Sequence, residues 1–567
     1  MQNAPASLAL ESVDAEPPRP GRYLWARRPA FVAAGLGVLG TLFRLGLVVA
    51  GYPRADSDEA TIGLAALHMA AGQHFPIFFY GQHYMGTIQA YLAAPLLAVG
   101  GPSVPLLRLP LILLYVGFLI AMYRLVAAVY SAWFAVLVVA VLSLGSDRVL
   151  KDQLIAHGGT AEVKPAAALL LLLAYALAVG WRRHRAVGFF TWGLVAGLCL
   201  WDHLVVVPYL LVAAGVLVVC RGREVAGRMG AYLLAGLVAG AGPLVAYNLR
   251  AEPGQDSLSI FLSQNDGPPV PLAQRLVGGV FMGAPLSTGV CGPGACQPWQ
   301  RAWALALLAL LIVSALLAVR ALLAVRAPLR EAGPAQPVAG SRQPERARHF
   351  VRLALSLGAL LSIVAYTRSA AAGLTPMESG RYLCCLPVSV PAVLWPLWRW
   401  LDVGGYGGYG GIWARSAKVR ARVAAAAVLL VALLATMATT TISVVASAVP
   451  DARADARQQR QLVDALRVAG VRHLYSGYWT CNRINFDSDE TITCAVLEDN
   501  LRPGFDRYRA YRATVAGAGR PAYVFVADSD ADVRLRARLR GRGLPDVPAR
   551  TVGRYHVYLP PARVNQP

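Results

Sequence analysis

Lysine is almost missing from this chain. Only Lys151, Lys164 and Lys418 occur, so nearly all of the 53 basic residues are arginine. That bias fits a GC-rich coding sequence and carries no mechanism by itself. Acid is short as well: 31 Asp and Glu leave a formal net charge of +22. The excess does not point to nucleic acid, because the arginines gather at the ends of apolar runs and in a C-terminal segment, as membrane topology requires. Charged residues are 15% of the chain against 56% hydrophobic, and mean hydropathy is +0.49. Soluble domains are usually less apolar. The N-terminus lacks the small-residue cleavage site of a secretory signal. No internal repeat of the kind a transporter would carry is seen. With eight cysteines and nine histidines, no Cys or His pair completes a four-ligand zinc set.

What is present is a series of apolar runs separated by short Arg-rich or Gly/Pro-rich breaks. Each run is long enough to satisfy its own backbone in lipid as a helix. The expected fold class is a polytopic α-helical membrane protein with about 11 transmembrane helices, followed by a small extracytoplasmic α/β domain. A cytoplasmic tail, residues 1–28, ends in "RYLWARR". The membrane domain is expected over 29–448, with a long external loop at 52–104. Within that loop "YMGTIQAYLAAPLLAVGG" is short and broken by Pro95, and reads as a helix at the membrane surface. Treating it as a span would put "WRRHR" and "RGREVAGR" outside, against the positive-inside rule. The Arg/Pro/Ala-rich linker 320–349 and the low-complexity "GGYGGYGG" then fall inside. Residues 449–567 fall outside, where "HLYSGYW", "TITCAVL", "AYVFVAD" and "YHVYLP" read as short strands. In that oxidising compartment Cys291 with Cys296, and Cys481 with Cys494, are candidate disulfides, although spacing does not prove them.

Three carboxylates crowd the start of the first external loop, in "RADSDEATIGLAAL". Asp56 and Glu59 have capping-box spacing and open a helix. Asp58 is left without a necessary structural task. Other ionisable groups collect at span ends on the same side, among them His83, Lys164, Asp202, His203, Arg368 and Arg381. Any one of these is ordinarily an interfacial charge. Together they could converge on one external vestibule from several loops, and polar groups at membrane depth normally face a cavity.

Asp58-Glu59, the following "GLAALHMAAGQHFPIFFYGQHYMGTIQAYLAAPL" and the late "ESGRYLCCLPVSVP" resemble the bacterial GT-C glycosyltransferases, the superfamily of family 39 protein O-mannosyltransferases and lipid A aminoarabinose transferases. The resemblance covers roughly residues 30–400. It implies an inverting transferase in a bacterial plasma membrane, using a polyprenyl-phosphate hexose and acting on the outer face. It implies Asp58 as catalytic base and Arg381 as phosphate ligand, with Tyr382 beside it. Glu59, His83, Lys164, Asp202 and His203 are further substrate-binding candidates, and Arg368 a weaker one. No cofactor is certain, and a divalent metal is compatible because family members differ in needing one. The hydroxyl acceptor could be a protein, an envelope glycan or lipid, or a secreted small molecule. One departure is plain. Where aminoarabinose transferases carry a Lys-Pro-Pro-like segment, this chain has "QHYMGT", so aminoarabinose is not the expected sugar. The rival classes are a flippase or transporter of lipid-linked sugars and a non-enzymatic, glycan-binding envelope protein.

Overall fold

The computed structural model describes residues 20–181, 184–263, 269–292, 296–326, 339–402, 417–541, 549–561 and 564. The first part of the N-terminal tail, the centre of the 320–349 linker and "GGYGGYGG" lie outside the described residues.

The protein is a multi-pass membrane protein with a small C-terminal sheet domain. Six helices are long and apolar enough to cross a membrane, and nine segments qualify if each bent pair is one span. Two of the eleven expected spans fall on Val163–Ala178, a shorter apolar helix, and on Arg185–Asp202, and neither is among those nine. The first four helices frame the site: α1 (Pro20–Val49), α2 (Ser57–Ala70), α3 (Ile88–Gly100) and α4 (Val104–Val129). At 13 residues α3 rises about 20 Å, too short to cross a bilayer alone. It packs against α2 and α4 in a common apolar cluster.

The bent pairs have local causes. Ala132–Ser143 and Asp147–Leu154 meet at 90°. Such a break strands the carbonyls of a helix end. Arg44, fully buried in α1, answers them: its guanidinium donates to the carbonyls of Ser143 (3.0 Å) and Leu144 (3.2 Å) and to Gln153 Oε1 (2.7 Å), over the Tyr115 ring. A charge inside a span is tolerated because every face of it is matched. Elsewhere Arg185–Asp202 and Arg228–Gly240 approach so closely that a Cβ at Gly197 or Gly240 would lie 2.2 Å from the carbonyl oxygen of Leu237 or Leu194. Small residues permit that contact in lipid.

The last span continues without interruption into the C-terminal domain, as one helical segment Val419–Val468 of 50 residues. The domain then folds as a five-stranded sheet in the order β2-β1-β3-β5-β4. Its strands are β1 (His473–Ser476), β2 (Thr493–Val496), β3 (Ala522–Val526), β4 (Arg550–Val552) and β5 (Tyr555–Tyr558). The four expected strands are β1, β2, β3 and β5. The pairs β1–β2 and β1–β3 are parallel, whereas β5 runs antiparallel to β3 and β4. Cys481 and Cys494 are bonded, joining the helix Tyr478–Asp487 to β2, and Cys291 is bonded to Cys296.

This domain sits on α2. Ser57 Oγ donates to the Tyr478 carbonyl at 2.6 Å and accepts from Asn482 Nδ2 at 2.9 Å. Phe486 is buried in the same cluster as the apolar face of α2. His68 of α2 meets Glu490 at 3.1 Å, and Tyr511 donates to the same carboxylate at 2.7 Å. Asp455 gathers Arg54, Arg483 and Arg554 at 2.9, 2.7 and 2.9 Å, tying the entry of the first loop to the long helix and the sheet.

Candidate active site

The three acids of the first loop take three different environments, set by the start of α2. Asp56 is the N-cap: its side chain accepts from the Glu59 amide at 2.8 Å. Burial, followed by the neighbouring charges of Glu59 and Asp58, pushes its carboxyl up to about 6, and Arg381 opposes that rise. The reciprocal half of a capping box is not made. Glu59 turns instead into the membrane domain, where Arg108 of α4 donates to both its oxygens at 2.8 and 2.5 Å and the Ala156 amide donates at 3.1 Å. Both side chains are fully buried. An arginine within an apolar span needs such a partner more than a cap needs its second bond. Glu59, an expected substrate ligand, is therefore enclosed in a structural ion pair.

Asp58, one residue earlier, faces the other way. Arg507 donates to its Oδ1 at 3.0 Å, and the Tyr478 hydroxyl donates to the same oxygen. Arg507 also donates to the Tyr478 hydroxyl at 2.7 Å, and its guanidinium lies over the rings of Phe79 (4.6 Å) and Phe505 (5.2 Å). Burial and the Asp58 charge push the Tyr478 hydroxyl well above the usual phenol range. Asp58 keeps 16% of its side chain exposed. Asp58 is the acid that capping leaves over, and its two partners are not marked by any nearby spacing. They stand 420 and 449 residues away in sequence, and no local spacing connects them. The only available signal was compositional, an arginine set among aromatics in "GFDRYRAYR".

Arg381 occupies a short 3-10 turn, Gly380–Leu383, which ends the segment Pro376–Leu383 just before its 51° bend into Leu386–Leu401. Its guanidinium lies 5.7 Å from the centre of the Tyr382 ring. It makes no ion pair at contact distance among the described residues. Its charge nevertheless acts on Asp58 and Asp152, on Asp56, on His157 and on His203. The residues of loop one, of the segment 147–162 and of the late broken span thus share one electrostatic neighbourhood. Arg381 is a cation in it without a carboxylate in contact, which is the condition for holding an anionic ligand.

The remaining candidates divide. Lys164 is buried and donates to the Asp152 carbonyl at 2.7 Å. Asp152 itself meets Arg148 at 3.2 Å, a cation not among the expected site residues. Asp202 and His203 end the helix Arg185–Asp202 and are buried. Among the described residues the Asp202 carboxylate has no hydrogen-bond partner, while its carbonyl accepts from the Gly86 amide at 2.8 Å and so fixes the end of loop one. The His203 ring lies 6.2 Å from that of Tyr382 and accepts from the Val205 amide at 3.2 Å. These two stand beside the Arg381–Tyr382 turn. His83 is exposed and shares a 2.7 Å hydrogen bond with Tyr247. Partial loss of hydration around the ring, helped by the Arg509 charge, lowers its imidazole below the usual range. Arg368 is exposed at the end of the helix Ala339–Arg368. No contact joins either His83 or Arg368 to Asp58 or Arg381 among the described residues. Nor, among those residues, do any three His, Cys, Asp or Glu side chains form a group that could hold a metal ion.

No family model matches the chain, and no curated protein matches it by sequence. Solved structures do match. The fold is similar to that of ArnT from Cupriavidus metallidurans bound to undecaprenyl phosphate, with a TM-score of 0.56 at 12% identity over 96% of this chain and 100% of that one. The apo state of the same ArnT gives 0.55 at 12% identity with the same coverage. An oligosaccharyltransferase from Archaeoglobus fulgidus, in complex with Zn and sulfate, gives 0.44 at 12% identity over 87% of this chain and 68% of that one. The architecture shared with ArnT is a set of membrane helices followed by a C-terminal domain, which here packs on the first loop.

Proposed function

We propose that the protein is an inverting glycosyltransferase that moves a hexose from a polyprenyl-phosphate carrier to a hydroxyl acceptor on the outer face of a bacterial plasma membrane. The observation that carries this reading is the pairing of roles at one site. A partly exposed carboxylate, Asp58, lies within the electrostatic reach of Arg381, a guanidinium without a carboxylate partner. The shared fold with an ArnT that binds undecaprenyl phosphate supports a lipid-linked donor. Mannose is the preferred sugar on the family resemblance alone.

In this reading the acceptor hydroxyl hydrogen-bonds to Asp58, which takes its proton as the oxygen attacks C1. The C1–O bond to phosphate breaks on the opposite face, and its electron pair leaves with the lipid phosphate. Arg381 offsets the charge that grows there, and no general acid is needed for so good a leaving group. The Tyr478 hydroxyl, already donating to Asp58, marks the direction from which an acceptor hydroxyl approaches. Tyr382, Asp202, His203 and Lys164 complete the substrate-binding set in this reading; the His203 ring lies 6.2 Å from that of Tyr382, and Lys164 donates to the Asp152 carbonyl.

The test uses membranes containing the full chain and labelled polyprenyl-phosphate hexoses, with products identified by mass spectrometry. Asp58→Asn is expected to abolish transfer while lipid-phosphate binding persists, and Arg381→Ala to weaken lipid-phosphate binding first. Full transfer by Asp58→Asn would sink the mechanism.

A further inference from the structure

The C-terminal domain carries a cleft that the chemistry above does not use. It is an open cleft of about 460 Å³ at the carboxyl ends of the three parallel strands. Ser476 and Gly477 line it at the end of β1, Glu498 and Asp499 after β2, and Val526 and Ser529 at the end of β3. With β1 between β2 and β3, the chain leaves β1 toward one side and returns from β2 to the other. The crevice lies at the point where the strand order reverses, which is where open α/β sheets bind ligands.

Its chemistry narrows the ligand. In a chain of net charge +22, the lining holds two carboxylates and no basic residue. The turn after β1 reads "SGYW", without a glycine-rich phosphate loop. A phosphate or nucleotide would meet Glu498 and Asp499 without a compensating cation. Against those acids stand two open aromatic rings, Trp479 and Phe505, 63% and 54% exposed. Large aromatics left open at a cleft indicate a ligand that covers them. Flat aromatic faces opposite carboxylate acceptors suit a neutral ring that has C–H faces and hydroxyl edges: the π-face attracts the C–H groups, and a carboxylate accepts from hydroxyls.

Tyr478 joins this cleft to the site. It lines the cleft, and its hydroxyl donates to Asp58. Phe505 lines it too, and lies under the guanidinium that pairs with Asp58. Gly504 allows that placement, since a Cβ there would lie 2.8 Å from Val496 Cγ1. We infer that the cleft lined by Trp479, Phe505, Glu498 and Asp499 binds a neutral glycan, the acceptor of the transfer reaction, and presents its hydroxyl past Tyr478 to Asp58. This rests on the glycosyltransferase reading and selects the glycan among its acceptors.

The experiment titrates the purified full chain in nanodiscs with neutral hexasaccharides of mannan, glucan, galactan and arabinan type, following tryptophan fluorescence and saturation-transfer NMR. At least one is expected to bind, and Trp479→Ala and Asp499→Asn are expected to weaken its Kd about tenfold or more. Both side chains are exposed, and an unchanged Tm and unchanged undecaprenyl-phosphate binding verify that the variants are folded. Asp58→Asn should bind the same glycan as the wild type. Binding unchanged in both cleft variants would overturn the inference. So would binding of none of the four glycans, or binding only of peptides or anionic sugars. If the glycan binds and the cleft variants weaken it, but no polyprenyl-phosphate sugar is transferred to it, the cleft assignment stands as a glycan site and the transferase reading fails.

Discussion

Adjacent residues of α2 serve two regions of the molecule. Glu59 points into the membrane domain and meets Arg108 with no solvent exposure on either side. Asp58 points to the C-terminal domain and meets Arg507 at a similar distance, but 16% of Asp58 and 9% of Arg507 remain exposed. One pair closes a hole inside a helix bundle; the other bridges two domains at an accessible surface. The first can do nothing but hold the fold. The second keeps a path to solvent, and in the proposed reaction an incoming hydroxyl replaces the Tyr478 hydroxyl at the same oxygen.

Four substitutions can break or sharpen that contrast. The largest effect on turnover is expected from Asp58→Asn, a loss of roughly 100-fold to 10,000-fold in transfer with Tm in detergent nearly unchanged; a variant that loses both in step would mean that Asp58, too, is structural. Glu59→Gln is expected to do the reverse. It leaves a buried guanidinium uncompensated, at a cost on the order of 3–5 kcal/mol, so Tm falls steeply, and whatever protein survives retains turnover per folded molecule. Arg507→Ala should be intermediate, costing about 1–3 kcal/mol of stability and lowering transfer by displacing Tyr478. Trypsin sensitivity of the C-terminal domain in the intact chain would read the loosening, and unchanged protection would argue that Arg507 does not hold the domain. The smallest change belongs to Asp56→Asn. The Asp56 pKa is raised, from 3.8 to about 6, so the native state binds the proton more tightly than the unfolded chain. The stability linked to this group is present below 3.8 and declines as pH rises to about 6. Asparagine keeps the cap. It should therefore raise Tm at pH 7 but not at pH 3.5, and an equal shift at both would disprove the linkage.

Much of the fold was legible in the sequence. Hydropathy located the long helices, and the alternating runs "HLYSGYW" and "AYVFVAD" located β1 and β3. It did not reveal the 90° turn after Ser143, because composition records how apolar a helix is and not where it points. The turn depends on Arg44, 100 residues earlier, reaching the Leu144 carbonyl. At the site, Asp58 and Arg381 were legible as acid and cation at the ends of spans. Capping spacing set Glu59 apart from Asp58 but gave it the wrong partner, since its carboxylate pairs with Arg108, 49 residues away. Tyr478 and Arg507 were illegible for the same reason: the contact is tertiary, between domains far apart in sequence.

The unbroken helix Val419–Val468 has a mechanical consequence. Fifty residues make a shaft about 75 Å long. It transmits twist from the bilayer to the sheet, because no hinge loop interrupts it. Midway, at Val444–Ala448, the winding widens to a π-turn. That turn sets the angle at which everything beyond it is delivered. One residue more or less there would rotate the C-terminal domain by about 100°, carrying Tyr478 and Arg507 off the carboxylate they now cover. Alignment of the two halves of the site is thus fixed by helical phase, as a keyway fixes a wheel on its axle.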